Sequence, residues 1–358
     1  MNILGIETSC DETAAAVVQN GKKVLSNIVS SSLKEHAPYG GIVPEIASRR
    51  QLECINRICT QSLLQAGLEL HGIDAIAVTH QPGLIGSLLV GVSFARALSF
   101  AAQKPLIHVD HIKAHAYANF LKCPETKPEQ ENRREPHLPA VALIVSGGHT
   151  QLYYIRAFDA FKLLGETVDD AAGEAFDKVA KILHLGYPGG PAIDRLAKKA
   201  SSAGPRFACA QMAGSDNFSF SGLKTAVLYH YQRHKHDPSF SLSQTAYSFQ
   251  ESVISILIQK SLAACLRYKT KTLLIGGGVA ANSSLRKRAI SEARRKGIEV
   301  HVPPMPLCTD NAAMIAGLAF HLIKTRKDKR RDSSCRTYQK LPLKPVRAHT
   351  SWAQRTCR

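Results

Sequence analysis

Asn2-Ile3-Leu4-Gly5-Ile6-Glu7-Thr8-Ser9-Cys10-Asp11-Glu12-Thr13-Ala14-Ala15-Ala16-Val17-Val18 opens the chain and decides how the rest is read. The apolar run at 2–7 has the length of a buried strand. It breaks at a polar turn, 8–13, and a second apolar run follows at 14–18. The same plan returns at mid-chain: 140–145 is an apolar strand, 146–150 a turn with two glycines, and 151–155 a return strand. Each half then offers a helix. The one within 44–70 carries Leu52, Ile55, Cys59 and Leu63 at three- and four-residue spacing, and the one within 245–267 carries Phe249, Val253, Leu257 and Leu262 in much the same way. Each half next gives a buried-type strand running into Gly or Pro: 75–78 before Gln81-Pro82-Gly83, and 273–275 before Gly276-Gly277-Gly278. This order of elements suggests a duplicated α/β plan. The expected division is a first lobe at 1–121, a polar Pro- and Glu-rich loop at 122–139, a second lobe at 140–324 and a basic tail at 325–358 with the composition of a disordered segment.

With 358 residues, 44% of them hydrophobic, the chain is long enough for two domains with real cores. No run is expected to reach the roughly 18 apolar residues that span a bilayer. The first residues lack the basic and apolar regions of a signal peptide. Nine cysteines are scattered without a C-x-x-C, which argues against a disulfide framework and for a reducing cytoplasm. The net charge is +18, and residues 322–358 hold 12 Lys and Arg against two Asp. Such an excess attracts polyanions by counterion release, so nucleic acid is an expected partner; a merely solvated tail is the plainer reading.

Several segments carry chemistry. His111-Ile112-Lys113-Ala114-His115 places two imidazoles at i and i+4, on one helix face, where they can share an ion. Asp310, at the start of a later helix, could close that site; otherwise it is an acid complementing a helix N-terminus. Two nitrogens and one carboxylate oxygen leave open coordination positions and suit iron(II) or zinc. With Ile112 where a metalloprotease has its Glu, this is not H-E-x-x-H. Ser146-Gly147-Gly148-His149-Thr150 is an anion-binding nest or an ordinary hairpin turn. Gly276–Asn282 lies between a strand and a helix, where phosphates meet helix N-termini, and Asn282 caps that helix or binds a ligand. Tyr187-Pro188-Gly189-Gly190-Pro191 is a rigid turn, with Asp194 following at a spacing suited to a ribose hydroxyl. Four carboxylates at 169–177 read as a solvated helix face, with Asp177 turned inward beside Phe176 and Val179. Asp11 and Glu12 are catalytic or structural; the sequence does not separate these. Together the glycine turns predict a nucleotide cleft between lobes.

These segments, with Tyr39-Gly40-Gly41-Ile42-Val43-Pro44-Glu45, Phe218-Ser219-Phe220-Ser221-Gly222-Leu223-Lys224-Thr225 and the stretch 308–316, resemble the TsaD family over residues 1–324. These are tRNA threonylcarbamoyladenosine transferases, once described as O-sialoglycoprotein endopeptidases, and the wording at 39–50 looks like the bacterial and organellar branch. The resemblance implies a two-lobed actin-like, Hsp70-like α/β fold with a central cleft. It also implies transfer of threonylcarbamoyl from threonylcarbamoyl-AMP to the exocyclic amine of the adenosine 3′ to the anticodon (A37) of tRNAs reading ANN codons. By position, His111, His115 and Asp310 match the family's metal ligands, usually one iron(II). Ile144, Val145, Ser146, Gly147, Gly148, Asp177, Gly190, Asp194 and Asn282 match its nucleotide and substrate contacts. A smaller actin-like paralogue of the TsaB type and a P-loop ATPase of the TsaE type are the implied partners, with no membrane. One departure stands out: the family usually has H-x-E-x-H, and this chain has Lys113. The loop 122–139 and the tail also look longer than the family norm. An actin-fold ATPase or kinase, and a non-catalytic scaffold of the tRNA-modification complex, are the competing expectations.

Overall fold

The computed structural model describes residues 1–123, 134–202, 204–209, 212 and 214–332. The chain forms two compact units: Met1–Arg134 together with Asp310–Arg358, and Glu135–Thr309. Most of the loop at 122–139 and all of the tail beyond 332 lie outside the described residues.

The first unit is built on a five-stranded sheet of order β3-β2-β1-β4-β5, with β1 at Asn2–Glu7, β2 at Glu12–Gln19, β3 at Lys23–Ser31, β4 at Ala75–Gln81 and β5 at Leu106–Asp110. The first three strands form an antiparallel meander, and β4 and β5 add in parallel. Strand β1 is apolar almost throughout because it is central and covered on both faces. Strand β3, unforeseen in the sequence, sits at the edge and alternates between buried and exposed positions.

Helix α1, Pro44–Gln65, buries Gln51, Cys54, Ile55, Ile58 and Cys59. Leu52, expected in its apolar stripe, is 70% exposed. The buried face is rotated toward Gln51, whose amide donates to the carbonyls of Cys10 (2.9 Å) and Glu12 (3.2 Å) and so holds the loop after β1. Helix α2, Ile85–Ala102, corrects a second expectation. It is long and apolar enough to cross a membrane by length and composition, with mean hydropathy 1.6. Its Ile, Leu, Val and Phe side chains produce that average, against one Arg. Ser87, Leu88, Gly91 and Ala95 are buried, and the helix packs on β4 and α1. The short helix α3, His111–Tyr117, follows β5 directly.

The C-terminal helix, Ala312–Asp332, outruns its expected end at 324 and belongs to the first unit, not to the second lobe as the linear order implied. The reason is a close backbone approach. A Cβ on Gly5 would lie 2.3 Å from the Ala312 carbonyl oxygen, so only glycine in β1 lets this helix lie on the sheet.

The second unit repeats the plan. Strands β6 (Ala140–Val145), β7 (Thr150–Ala157), β8 (Ala160–Glu166), β9 (Thr272–Gly276) and β10 (Glu299–His301) form a sheet of order β10-β9-β6-β7-β8. Read from its other edge, this is the order of the first sheet: an antiparallel meander, then two parallel strands. The duplication suggested by element order is therefore present in topology. Its helices are α4 (Ala172–Ile182), α5 (Gly189–Ala197), α6 (Ser221–His234), α7 (Leu242–Arg267) and α8 (Ser283–Arg294). The expected stripe on α7 is buried at all four positions, and Phe249 meets Phe176 of α4 edge to face, with ring centroids 5.1 Å apart. Each such side chain contributes roughly 1.5–3 kcal/mol through burial. None of the seven cysteines among the described residues is joined in a disulfide.

Candidate functional site

In the first unit, β5 ends at Asp110, whose carboxylate caps α3 by accepting from the Lys113 amide at 3.1 Å. That cap fixes where the helix begins and therefore where its two histidines point. His115 Nε2 lies 3.2 Å from His111 Nε2 and 3.1 Å from Asp310 Oδ1, and His111 Nε2 lies 3.5 Å from the same oxygen. The three donor atoms sit within 4.8 Å of one another. Asp310 does not serve as a helix-terminal acid; Asn311 takes the capping role, accepting from the Met314 amide at 3.0 Å. The long-range pairing expected of His111, His115 and Asp310 is thus present.

The donor set suits a divalent ion. Two ring nitrogens approaching to 3.2 Å need a proton or a cation between them, and a mixed set of two nitrogens and one carboxylate oxygen matches iron(II) or zinc. Without a cation, charge is shared unevenly. Burial disfavours a charged His111, yet Glu7 and Asp310 outweigh it and raise this imidazole well above its ordinary value. Burial, together with the charge on His111, lowers His115. Burial would raise Asp310, but the two histidines hold it well below the usual carboxylate range. Glu7 is likewise lowered: its burial is overcome by His111 and by hydrogen bonds.

Glu7 and Thr79 were not singled out in the sequence. Glu7 is fully buried at the end of β1, with Oε2 3.0 Å from His111 Nδ1. The signal was available: an acidic residue closing an otherwise apolar, buried-type strand has to find a partner. Asp11 lies in the loop after β1, and Glu12 opens β2. The Asp11 carbonyl accepts from the Ser32 hydroxyl at 2.7 Å. Glu12 is pushed well above the usual carboxylate range, first by burial, then by the charges of Asp310 and Asp11, which favours its protonated form.

In the second unit, the nucleotide-type residues are joined through one closed circuit of contacts. Ile144 and Val145 are the buried end of β6, and Ser146 to His149 forms a hairpin turn in which the Ser146 amide donates to the His149 carbonyl at 2.8 Å. The Ser146 carbonyl accepts from the amide of Gly173 on α4 at 3.1 Å. Four residues on, Asp177 accepts from the amide of Gly189 at 2.7 Å, fixing the start of α5. Asp194 on α5 accepts from Ser283 at 2.9 Å. Asn282 caps α8 through the Leu285 amide at 3.0 Å while donating to Gln250 at 2.7 Å. The circuit closes at Gly277, at φ +90°, where a Cβ would lie 2.3 Å from the Val145 carbonyl oxygen. Gly147 and Gly190 have open space where a Cβ would be, so their backbones are approachable.

Burial raises Asp177 to about 6, even though the Gly189 and Gly190 amides pull it back. The other carboxylates of that run have structural work. Asp169 binds the hydroxyls of Ser219 (2.5 Å) and Ser221 (2.7 Å), strapping the loop before α6. Asp170 and Glu174 both pair with Lys178, at 2.7 and 2.9 Å.

Comparison with known proteins agrees with both units. A family model described as "TsaD: tRNA N6-adenosine threonylcarbamoyltransferase" matches residues 23–317. A protein of that name from Clostridium botulinum (strain 657 / Type Ba4) is 47% identical over 330 residues, covering 91% of this chain and 94% of its own. Its counterpart from Syntrophus aciditrophicus is 46% identical over 345 residues, covering 96% and 98%. A match of that span has to run well past Lys324, so the tail is not long beside this relative. Among solved structures, HypF from T. kodakarensis superposes with a TM-score of 0.61 at 14% identity, over 91% of this chain and 48% of its own. Full-length HypF in its phosphate- and nucleotide-bound form gives 0.56 at 15%, over 90% and 46%. These likenesses show the actin-like α/β fold. With its family model matched over most of its length and relatives approaching half identity, this chain belongs to the TsaD family of tRNA N6-adenosine threonylcarbamoyltransferase enzymes.

Proposed function

We propose that the chain transfers the threonylcarbamoyl group of threonylcarbamoyl-AMP to N6 of adenosine 37 in tRNAs reading ANN codons, with one iron(II), or zinc, held by His111, His115 and Asp310. The observation carrying this is the convergence of those three donor atoms within 4.8 Å, on residues 195 positions apart in a chain of this family. In the transfer, N6 attacks the carbamoyl carbon, the bond from that carbon to the phosphate oxygen breaks, AMP departs with the electron pair, and one N6 proton passes to water. A bound divalent ion supplies Lewis acidity to the carbonyl or the anionic groups beside it.

The chain's own residues supply the rest. The accessible backbone at Gly147 and Gly190 holds the anionic nucleotide part, and Asp194 accepts from a ribose hydroxyl. Asp177 fixes the start of α5 so that this backbone is already in place. The basic excess draws tRNA. Ile144, Val145, Ser146, Gly148 and Asn282 shape the same site, and Asp11 and Glu12 lie near Asp310. A smaller actin-like paralogue and a P-loop ATPase are the proposed partners, in the cytoplasm.

The test is a transfer assay with those partners, threonylcarbamoyl-AMP and unmodified tRNA, reading nucleosides by mass spectrometry. Threonylcarbamoyladenosine above the no-enzyme control is expected. Bound tRNA without product, with partners proven active on a relative, would instead favour a scaffold.

A further inference from the structure

Three hydrogen-bond donors converge on the buried carboxylate of Glu7. The Ser9 amide donates to Oε1 at 2.5 Å, the Thr79 hydroxyl donates to Oε2 at 2.5 Å, and His111 Nδ1 lies 3.0 Å from Oε2. A carboxylate can only accept, so its partner nitrogen on His111 must carry the proton. The second neighbour of that nitrogen, Ser9 Oγ at 3.1 Å, can accept as well. With the proton on Nδ1, the lone pair of His111 stands on Nε2, the atom facing His115 and Asp310. His115 is built differently: its Nδ1 is buried and has no hydrogen-bond partner among the described residues.

The loop that carries this arrangement is pinned. Thr8 donates to the Ser87 carbonyl at 2.9 Å, the Leu84 amide donates to the Ser9 carbonyl at 2.8 Å, and a Cβ on Gly83 would lie 2.6 Å from that same Ser9 oxygen.

Resting on the metal-binding reading of His111, His115 and Asp310, we propose that Glu7, held by Thr79 and the Ser9 amide, is the positioning residue of the metal centre. It fixes the tautomer and ring orientation of His111, so that one of the two imidazole ligands is preorganised from behind and the other is not. Partners of this kind typically change metal affinity by roughly 10–100-fold.

Glu7→Gln is the sharpest probe, because an amide of the same shape cannot accept from all three donors: one of its ends becomes an NH2 group facing N–H or O–H. The experiment titrates metal-free full-length chain with Co(II) against a chelator, recording the ligand-field absorption bands and the melting temperature of the metal-free protein. Glu7→Gln should weaken Co(II) binding at least about tenfold and shift the bands. Thr79→Val should weaken it by a smaller factor, and Thr79→Ser, which keeps the hydroxyl, should restore it. His115→Ala is the control for the site itself. If His115→Ala abolishes binding while Glu7→Gln stays within twofold with unchanged bands, the positioning role is overturned and the metal site stands. If His115→Ala binds like the parent, the metal reading falls instead, and this inference with it. Should Glu7→Gln not fold, Thr79→Val decides: parent-like affinity and spectrum there overturn the proposal.

Discussion

The two sheets share one strand order, yet their corresponding turns present opposite groups. From the end of β1 to the start of β2, Glu7, Asp11 and Glu12 crowd together and hold one another, His111 and nearby backbone in a buried cluster. After β6, the turn from Ser146 to His149 has no carboxylate and two glycines, and what it presents is backbone. A duplicated α/β plan supplies equivalent strand ends; the residues placed there determine whether an end gathers side-chain donors for a cation or peptide groups for an anion.

The largest expected effect tests the first of these ends. Asp310→Ala or His111→Ala should cost more than roughly 100-fold in metal affinity, and turnover with it, while circular dichroism stays that of the folded chain. Retained turnover in either variant would sink a metal mechanism. The second end breaks through its backbone. Gly277→Ala forces a Cβ into the Val145 carbonyl at a positive φ and should destabilise the second unit by about 3 kcal/mol, leaving Co(II) affinity in the first unit unchanged.

A pH experiment sharpens the contrast. Asp177 rises from 3.8 to about 6, so the native state binds its proton more tightly than the unfolded chain. Its contribution therefore favours folding below pH 4 and is lost as pH rises through about 6, an effect on the order of 3 kcal/mol. Denaturant melts between pH 4 and 7 should show this decline, and Asp177→Asn should flatten it. The metal cluster runs the other way. His111 holds its proton tightly in the metal-free protein, so Co(II) affinity should climb with pH as that proton is displaced. The smallest effect is expected at Lys113. Lys113→Glu, which restores the acidic residue usual between the two histidines, should tighten Co(II) by a factor of a few, the size of a Coulomb change near a solvated surface.

Much of this was legible in the sequence because it is local. Strands β1 and β6, helix α7 and the i, i+4 spacing of His111 and His115 each follow from neighbouring residues. The rest depended on distance. Strand β3 escaped because an edge strand mixes polar and apolar positions, and the exposure of Leu52 followed from what Gln51 reaches across the fold. Asp310 could be proposed as a ligand only by pairing distant segments. Glu7 stayed unseen because no spacing links it to His111, 104 positions away. An acid closing an apolar strand signals that a partner exists, but not which residue it is.

The return of the C-terminal helix to the first sheet has a consequence for biosynthesis. Residues 1–134 emerge from the ribosome early, but the unit they begin lacks Asp310 and the helix lying over Gly5 until the whole second unit has been made. Glu135–Thr309 is contiguous and can fold as soon as it is out. Assembly of the His111, His115 and Asp310 cluster is thus a late event on the nascent chain, and a message truncated just before codon 310 would leave the histidine pair without its carboxylate.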